Sequence, residues 1–154
     1  QTPQGPEQGM LNGAIFYDYY ETKDGRYFSV GSLEPQFMTG LAAALDLPIL
    51  MAKGSSFDPE DRQAIKQALK EKFSSKDFAE WQSIFSQLDI CVEPVLSLDE
   101  ALTSPIAKQR GWVVDVPLSE NTDQTEPQLA CPIKFSRSQM RYQFIGQGLG
   151  QGKW

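Results

Sequence analysis

The strongest constraint on the fold is the pair Asp24-Gly25, set between two runs rich in aromatic and β-branched residues. Asp-Gly favours the positive φ angles of a tight hairpin turn. Ala14–Thr22 before it reads as a strand, and Tyr27–Gly31 after it reads as the return strand. A hairpin closed so locally must pack one face on something else. The residues that follow supply helices.

Ser32-Leu33-Glu34-Pro35 is predicted to open the first helix, because proline suits the first helical turn. Phe37, Met38, Leu41, Ala44 and Leu45 recur at helical spacing until Pro48 stops the run. Asp58-Pro59 starts a second helix with the apolar stripe Ile65, Leu69 and Phe73. Ser74 and Asp77 resemble a capping box for a third, with the stripe Phe78, Trp81, Phe85 and Leu88. Ile90–Leu96 reads as a short strand or extended link. Ser97-Leu98-Asp99-Glu100 and Ser104-Pro105 predict two short helices, the second closed by Gly111. Trp112–Val116 is a further strand, 119–128 a polar loop, and Leu129–Phe135 one more strand. Hairpin, helices and scattered strands together predict an α+β fold. Residues 1–12, rich in Gln, Gly and Pro, are expected to be a flexible lead-in. Residues 13–138 form the domain, and 139–154 a loose Gly/Gln-rich tail.

The 154 residues fit one domain with tails, and 40% are hydrophobic, an ordinary globular share. No apolar run is long enough to span a membrane. Gln1–Glu7 has neither the basic nor the apolar part of a signal peptide. The first residue is not Met, so a longer parent chain is expected. A net charge of −6 argues against nucleic acid or an anionic membrane as partner. The last acid is Glu126, and Lys134, Arg137, Arg141 and Lys153 follow it, a solvated basic tail or a segment that docks on an acidic surface or meets a phosphate.

Two cysteines, Cys91 and Cys131, are too few for a disulfide framework or a zinc site. They are expected to be small buried hydrophobes in a reducing, cytoplasmic setting. With no histidine in the chain, no Ser-His or Cys-His triad can form. Chemistry here must use carboxylates or lysines, or borrow a group from another chain or segment. Gly146-x-Gly148-x-Gly150 has no helix after it and is no phosphate loop. Asp58, Glu60 and Asp61 are explained by capping and the helix dipole. Glu34 stands out because it places a carboxylate at a strand-to-helix junction. There it either complements the dipole or orients a catalytic partner supplied from elsewhere.

The stretch Phe16–Phe37, with its tyrosine-rich strand, Asp-Gly turn and Gly31-Ser32-Leu33-Glu34-Pro35-Gln36-Phe37, resembles the family III CoA-transferases. Within them it is most similar to the alpha-methylacyl-CoA racemase branch. Asp89–Ser97 and Cys131–Ser136 resemble two later elements of the same family, in family order. The resemblance implies the small domain of a longer enzyme. A preceding domain of that enzyme would hold the CoA site and the catalytic His and Asp, or in transferases a nucleophilic Asp. It implies an interlocked homodimer, no cofactor bound by this segment, and a CoA thioester as substrate. Glu34 matches the glutamate that hydrogen-bonds the catalytic His, and Tyr17 and Leu33 match residues lining the acyl end of the pocket. The hairpin tyrosines Tyr17, Tyr19 and Tyr20 are then expected to face another domain or subunit. Residues 47–60 and the tail 139–154 depart from the family pattern. Three functions follow: part of a 2-methylacyl-CoA racemase, part of a CoA-transferase, or a non-catalytic dimerisation module of the same fold.

Overall fold

A computed structural model of the chain describes residues 14–146. The expected lead-in over 1–12 and the end of the Gly/Gln-rich tail lie outside the described residues. The fold is α+β, and its contacts divide it into two units, one ending at Val95 and the other beginning at Leu96.

The first unit is built on the hairpin. β1 (Asp18–Glu21) and β2 (Tyr27–Val30) pair antiparallel, and β3 (Val92–Pro94) adds to the far side of β2. Gly25 turns the chain with φ of 76°, a conformation glycine adopts without steric cost. The turn is pinned by Asp24, which accepts from the Thr22 hydroxyl and from the Phe78 backbone N–H. β1 is shorter than expected. Tyr17 N–H donates to the Ala14 carbonyl at 3.0 Å, so residues 14–17 form a turn. That turn buries Ile15 and Phe16 in the core rather than extending the strand.

Four helices accompany the sheet: α1 (Pro35–Leu45), α2 (Ile49–Lys53), α3 (Pro59–Phe73) and α4 (Phe78–Phe85); α3 packs on β1 and α4 on β3, while α2 packs on both α1 and α3. α2 was not legible in the sequence; α1 ends at Leu45, capped by Asp46 in the left-handed region, and Pro48 is the N-cap of α2. Asp58 caps α3 as expected, its side chain accepting from Glu60 N–H at 2.8 Å. Asp77, not Ser74, is the N-cap of α4, with Glu80 accepting from Asp77 N–H at 3.0 Å. Ser74 instead ends α3. Leu88 falls beyond α4 and is exposed, because the helix stops at Phe85.

Period-2 alternation along the hairpin decides which side chains enter this core. Tyr20 and Phe28 are paired across the strands and fully buried, while Tyr19 and Tyr27 face out. Phe73 lies at the centre of an aromatic cluster, stacked on Tyr20 at 5.1 Å and within 6 Å of Trp81 and Phe85. Trp81 Nε1 donates to the Phe73 carbonyl at 2.8 Å, which satisfies the indole inside an apolar environment.

The second unit contains α5 (Leu98–Thr103), α6 (Pro105–Arg110) and the hairpin of β4 (Val113–Pro117) and β5 (Thr125–Leu129). Ser97 and Ser104 cap the helices as predicted, and Gly111 closes α6. The last strand ends at Leu129, where it was expected to begin. Pro127 lies inside β5. Trp112–Ala130 and Leu118–Gln124 are hydrogen-bonded pairs, so by alternation Pro127, opposite Asp115, is at a non-bonded position. Its missing N–H therefore costs the ladder nothing. Beyond the hairpin, Cys131 N–H donates to the Tyr142 hydroxyl and Ile145 N–H to the Pro117 carbonyl.

Candidate functional site

β2 ends at Val30, and α1 begins at Pro35. Gly31, Ser32, Leu33 and Glu34 carry the chain across this junction. Glu34 is the N-cap residue, with extended φ and ψ of −74° and 143°. Its carbonyl already accepts the first helical bond, from Met38 N–H at 2.9 Å. Its side chain makes no capping hydrogen bond and is exposed. The carboxylate thus stands at the positive end of the helix dipole while both oxygens stay available to an outside donor.

Tyr17 stands beside this junction. Its ring edge would lie 3.9 Å from a Cβ placed on Gly31, and the residue is 43% exposed. Leu33 is half-buried and packs against the core. It also borders a largely apolar cleft of about 250 Å³ shared with Phe16, Met38 and Phe57. A second cleft of about 660 Å³ lies along β1 and α3, between Lys66, Lys70, Glu21 and Tyr27. One of its ion pairs is already made, Lys66 to Asp18 at 2.9 Å. The structure therefore gathers Tyr17 and Leu33 at the ends of the short segment leading to Glu34. The expectation for the hairpin tyrosines is corrected in part: Tyr20 is enclosed in the core, with its hydroxyl donating to the Ile15 carbonyl.

The reading of the cysteines as buried is also corrected. Cys91 is exposed and Cys131 half-buried, and both are free. Cys91 lies beside the junction, its carbonyl accepting from Gly31 N–H at 2.8 Å. Partial desolvation, followed by the charges of Glu34, Asp89 and Glu93, pushes its thiol above the usual range. This thiol is a poor nucleophile at neutral pH. Ser32 was missed by the sequence reading; it is completely buried, and its hydroxyl donates to the Ile90 carbonyl. Nothing in a Gly-Ser-Leu tripeptide signals that burial, because its partner lies 58 residues away. Among the described residues, no group of three or more Cys, Asp or Glu could hold a metal ion. No described helix is long and apolar enough to cross a membrane.

A hairpin leading to a helix-start carboxylate is here part of a known architecture. The family model for CoA-transferase family III matches residues 1–151, and the chain belongs to that family. It is 37% identical over 117 residues to the alpha-methylacyl-CoA racemase of Homo sapiens, an alignment covering 72% of this chain and 28% of that protein. To the alpha-methylacyl-CoA racemase of Mus musculus it is 42% identical over 113 residues, covering 71% of this chain and 28% of the relative. A CaiB/baiF CoA-transferase family protein of Caenorhabditis elegans is 31% identical over 84 residues, covering 54% of this chain and 23% of that one. The chain thus spans just over a quarter of the length of the racemases it matches. Among solved structures, the D175A mutant of Rv3272 from Mycobacterium tuberculosis shares the fold with a TM-score of 0.66 at 16% identity, over 87% of this chain and 37% of that one.

Proposed function

We propose that this chain is the small-domain part of an acyl-CoA racemase that epimerises 2-methylacyl-CoA thioesters. The observation that carries the reading is Glu34. It is an exposed carboxylate at a helix start, left free by the capping geometry, in a chain whose two mammalian relatives at 37% and 42% identity are both named alpha-methylacyl-CoA racemase.

The chemistry follows from the thioester, which acidifies the α-proton. One group removes that proton from one face and an opposed group returns a proton to the other. The enolate oxygen between the two steps needs hydrogen-bond donors around it. By analogy with the family, the acid/base pair and the CoA-binding groups belong to a preceding domain of the whole protein, and the lack of histidine in this chain agrees with that. Glu34 accepts a hydrogen bond from the imidazole N–H of the catalytic histidine. That contact fixes the ring orientation and tautomer and favours the charged form. Tyr17 and Leu33 line the acyl end of the pocket. The small domain of one subunit closes over its partner's large domain in an interlocked homodimer. Two free thiols accord with a reducing, cytoplasmic location.

The test is α-proton exchange in D₂O. The native full-length protein is given one enantiomer of a 2-methylacyl-CoA, with residues 1–154 alone as control. Deuterium incorporation with loss of optical purity is expected in the full-length sample only. Absence of exchange, with CoA passing instead to an added carboxylic acid, would replace the racemase by a CoA-transferase. Absence of both reactions would leave a dimerisation module.

A further inference from the structure

Two consecutive carbonyls, those of Ile90 and Cys91, turn toward one short segment. The Ile90 carbonyl accepts from the Ser32 hydroxyl, and the Cys91 carbonyl accepts from Gly31 N–H. In an extended strand successive carbonyls point to opposite edges, so one neighbour cannot receive both. The chain solves this at Cys91, which has φ of 53° although it is not glycine. Side-chain-bearing residues enter this left-handed region at a steric cost, and such residues persist only where the surroundings hold them.

Ile90 holds the other side of the junction too. Its Cγ2 stands 2.5 Å from where a Cβ on Gly40 would project, so α1 lies on this side chain at a distance only glycine permits. Ile90 thus grips the segment before Glu34 with its carbonyl and the helix after Glu34 with its side chain. The Ser32 hydroxyl is wholly enclosed, and the Ile90 carbonyl satisfies it. Between these two grips lies Glu34, its side chain exposed.

We infer that the Ile90–Cys91 corner is a positioning device for Glu34, with Ser32 and the left-handed Cys91 as its positioning residues. The inference rests on the reading of Glu34 as the partner of a catalytic imidazole. A carboxylate that must orient a ring has to be held within about 0.5 Å, and displacement by about 1 Å costs about a hundredfold in rate. Glu34 is tied down by no side-chain bond in its own helix, so its backbone frame must supply that precision.

The experiment compares Cys91→Gly with Cys91→Val in the native full-length protein, assayed for racemisation. Both delete the thiol, but only valine resists a positive φ. C91G is expected to keep kcat within about threefold of the parent, and C91V and Ser32→Ala to lower kcat about tenfold or more with KM little changed. Each change is then repeated on a Glu34→Gln background. If the corner acts through Glu34, S32A and C91V lower kcat no further there. Equal kcat in C91G and C91V, whether both normal or both reduced, overturns the device. So does an undiminished effect of S32A or C91V on the E34Q background. An E34Q protein with normal kcat overturns the role of Glu34 itself. An inactive E34Q with normal S32A and C91V overturns only the corner.

Discussion

The Asp24 carboxylate accepts a hydrogen bond from the Phe78 backbone N–H at 2.9 Å, tying the hairpin turn to the first residue of α4, 54 positions away. The same oxygen accepts from the Thr22 hydroxyl, and that bond is the first cause holding the Asp24 carboxyl below its ordinary range, with the Phe78 N–H and Arg26 adding to it. A folded pKa below the unfolded value, about 3.9, means a contribution that is complete above that value and lost as pH falls through the folded one. Asp24→Asn is therefore expected to lower the urea midpoint at pH 7 and to reduce the further loss on acidification below pH 4. Urea titrations followed by tryptophan fluorescence at several pH values check this. A D24N protein with the parent's acid profile would remove Asp24 from the account.

Phe73 touches Tyr20, Phe28, Trp81 and Phe85 and is fully buried. Phe73→Ala is expected to cost about 3–5 kcal/mol, through lost transfer energy and the cavity left behind. That is a large share of the roughly 5–15 kcal/mol a domain holds in total. Denaturant unfolding with an unchanged slope would give the figure directly. A loss below about 1 kcal/mol would mean that the cluster closes over the gap.

Gly40→Ala sets two effects against each other. Alanine gains about 1 kcal/mol of helix propensity over glycine. Its methyl would meet Ile90 Cγ2 at 2.5 Å inside the packed core, and overpacking of that kind costs about 1–3 kcal/mol. A net loss of stability is expected, seen as a lower thermal midpoint. A stabilised G40A protein would show that Ile90 can move aside freely.

Cys91 offers a direct reading of its surroundings. Although exposed, its thiol is pushed up by partial desolvation and by Glu34, Asp89 and Glu93. Alkylation of Cys91 in a Cys131→Ser protein is expected to be slower at pH 8 than that of an unperturbed thiol, and to speed up when Glu34→Gln removes one of those charges. Equal rates with and without the Glu34 charge would separate the two side chains.

Glu34→Gln in the native full-length protein is expected to lower kcat about a hundredfold or more while leaving KM nearly unchanged, because an orienting hydrogen bond serves the proton transfer rather than substrate capture. Steady-state rates with a 2-methylacyl-CoA separate the two parameters. An unaltered kcat would remove Glu34 from the reaction.

The sequence by itself determined the features whose causes are local. Asp24-Gly25 set the hairpin, and Asp58-Pro59, Ser97 and Ser104-Pro105 set three helix starts, each through a bond to a backbone N–H two or three residues away. Alternation along β2 buried Phe28 and Val30. Family membership was legible in the order of three short motifs, and Glu34 could be singled out by its place between a strand and Pro35. Tertiary structure decided the rest. Residues 14–17 turn instead of extending because Ile15 and Phe16 gain a core that the pattern alone does not reveal. Pro127 is tolerated because of its register opposite Asp115. The left-handed Cys91 and the buried Ser32 exist only through each other's segments, which meet across 58 residues of chain. Caps and turns are written in neighbouring residues because their hydrogen bonds span a few positions; the frame that aims Glu34 depends on contacts whose two halves are brought together only by folding.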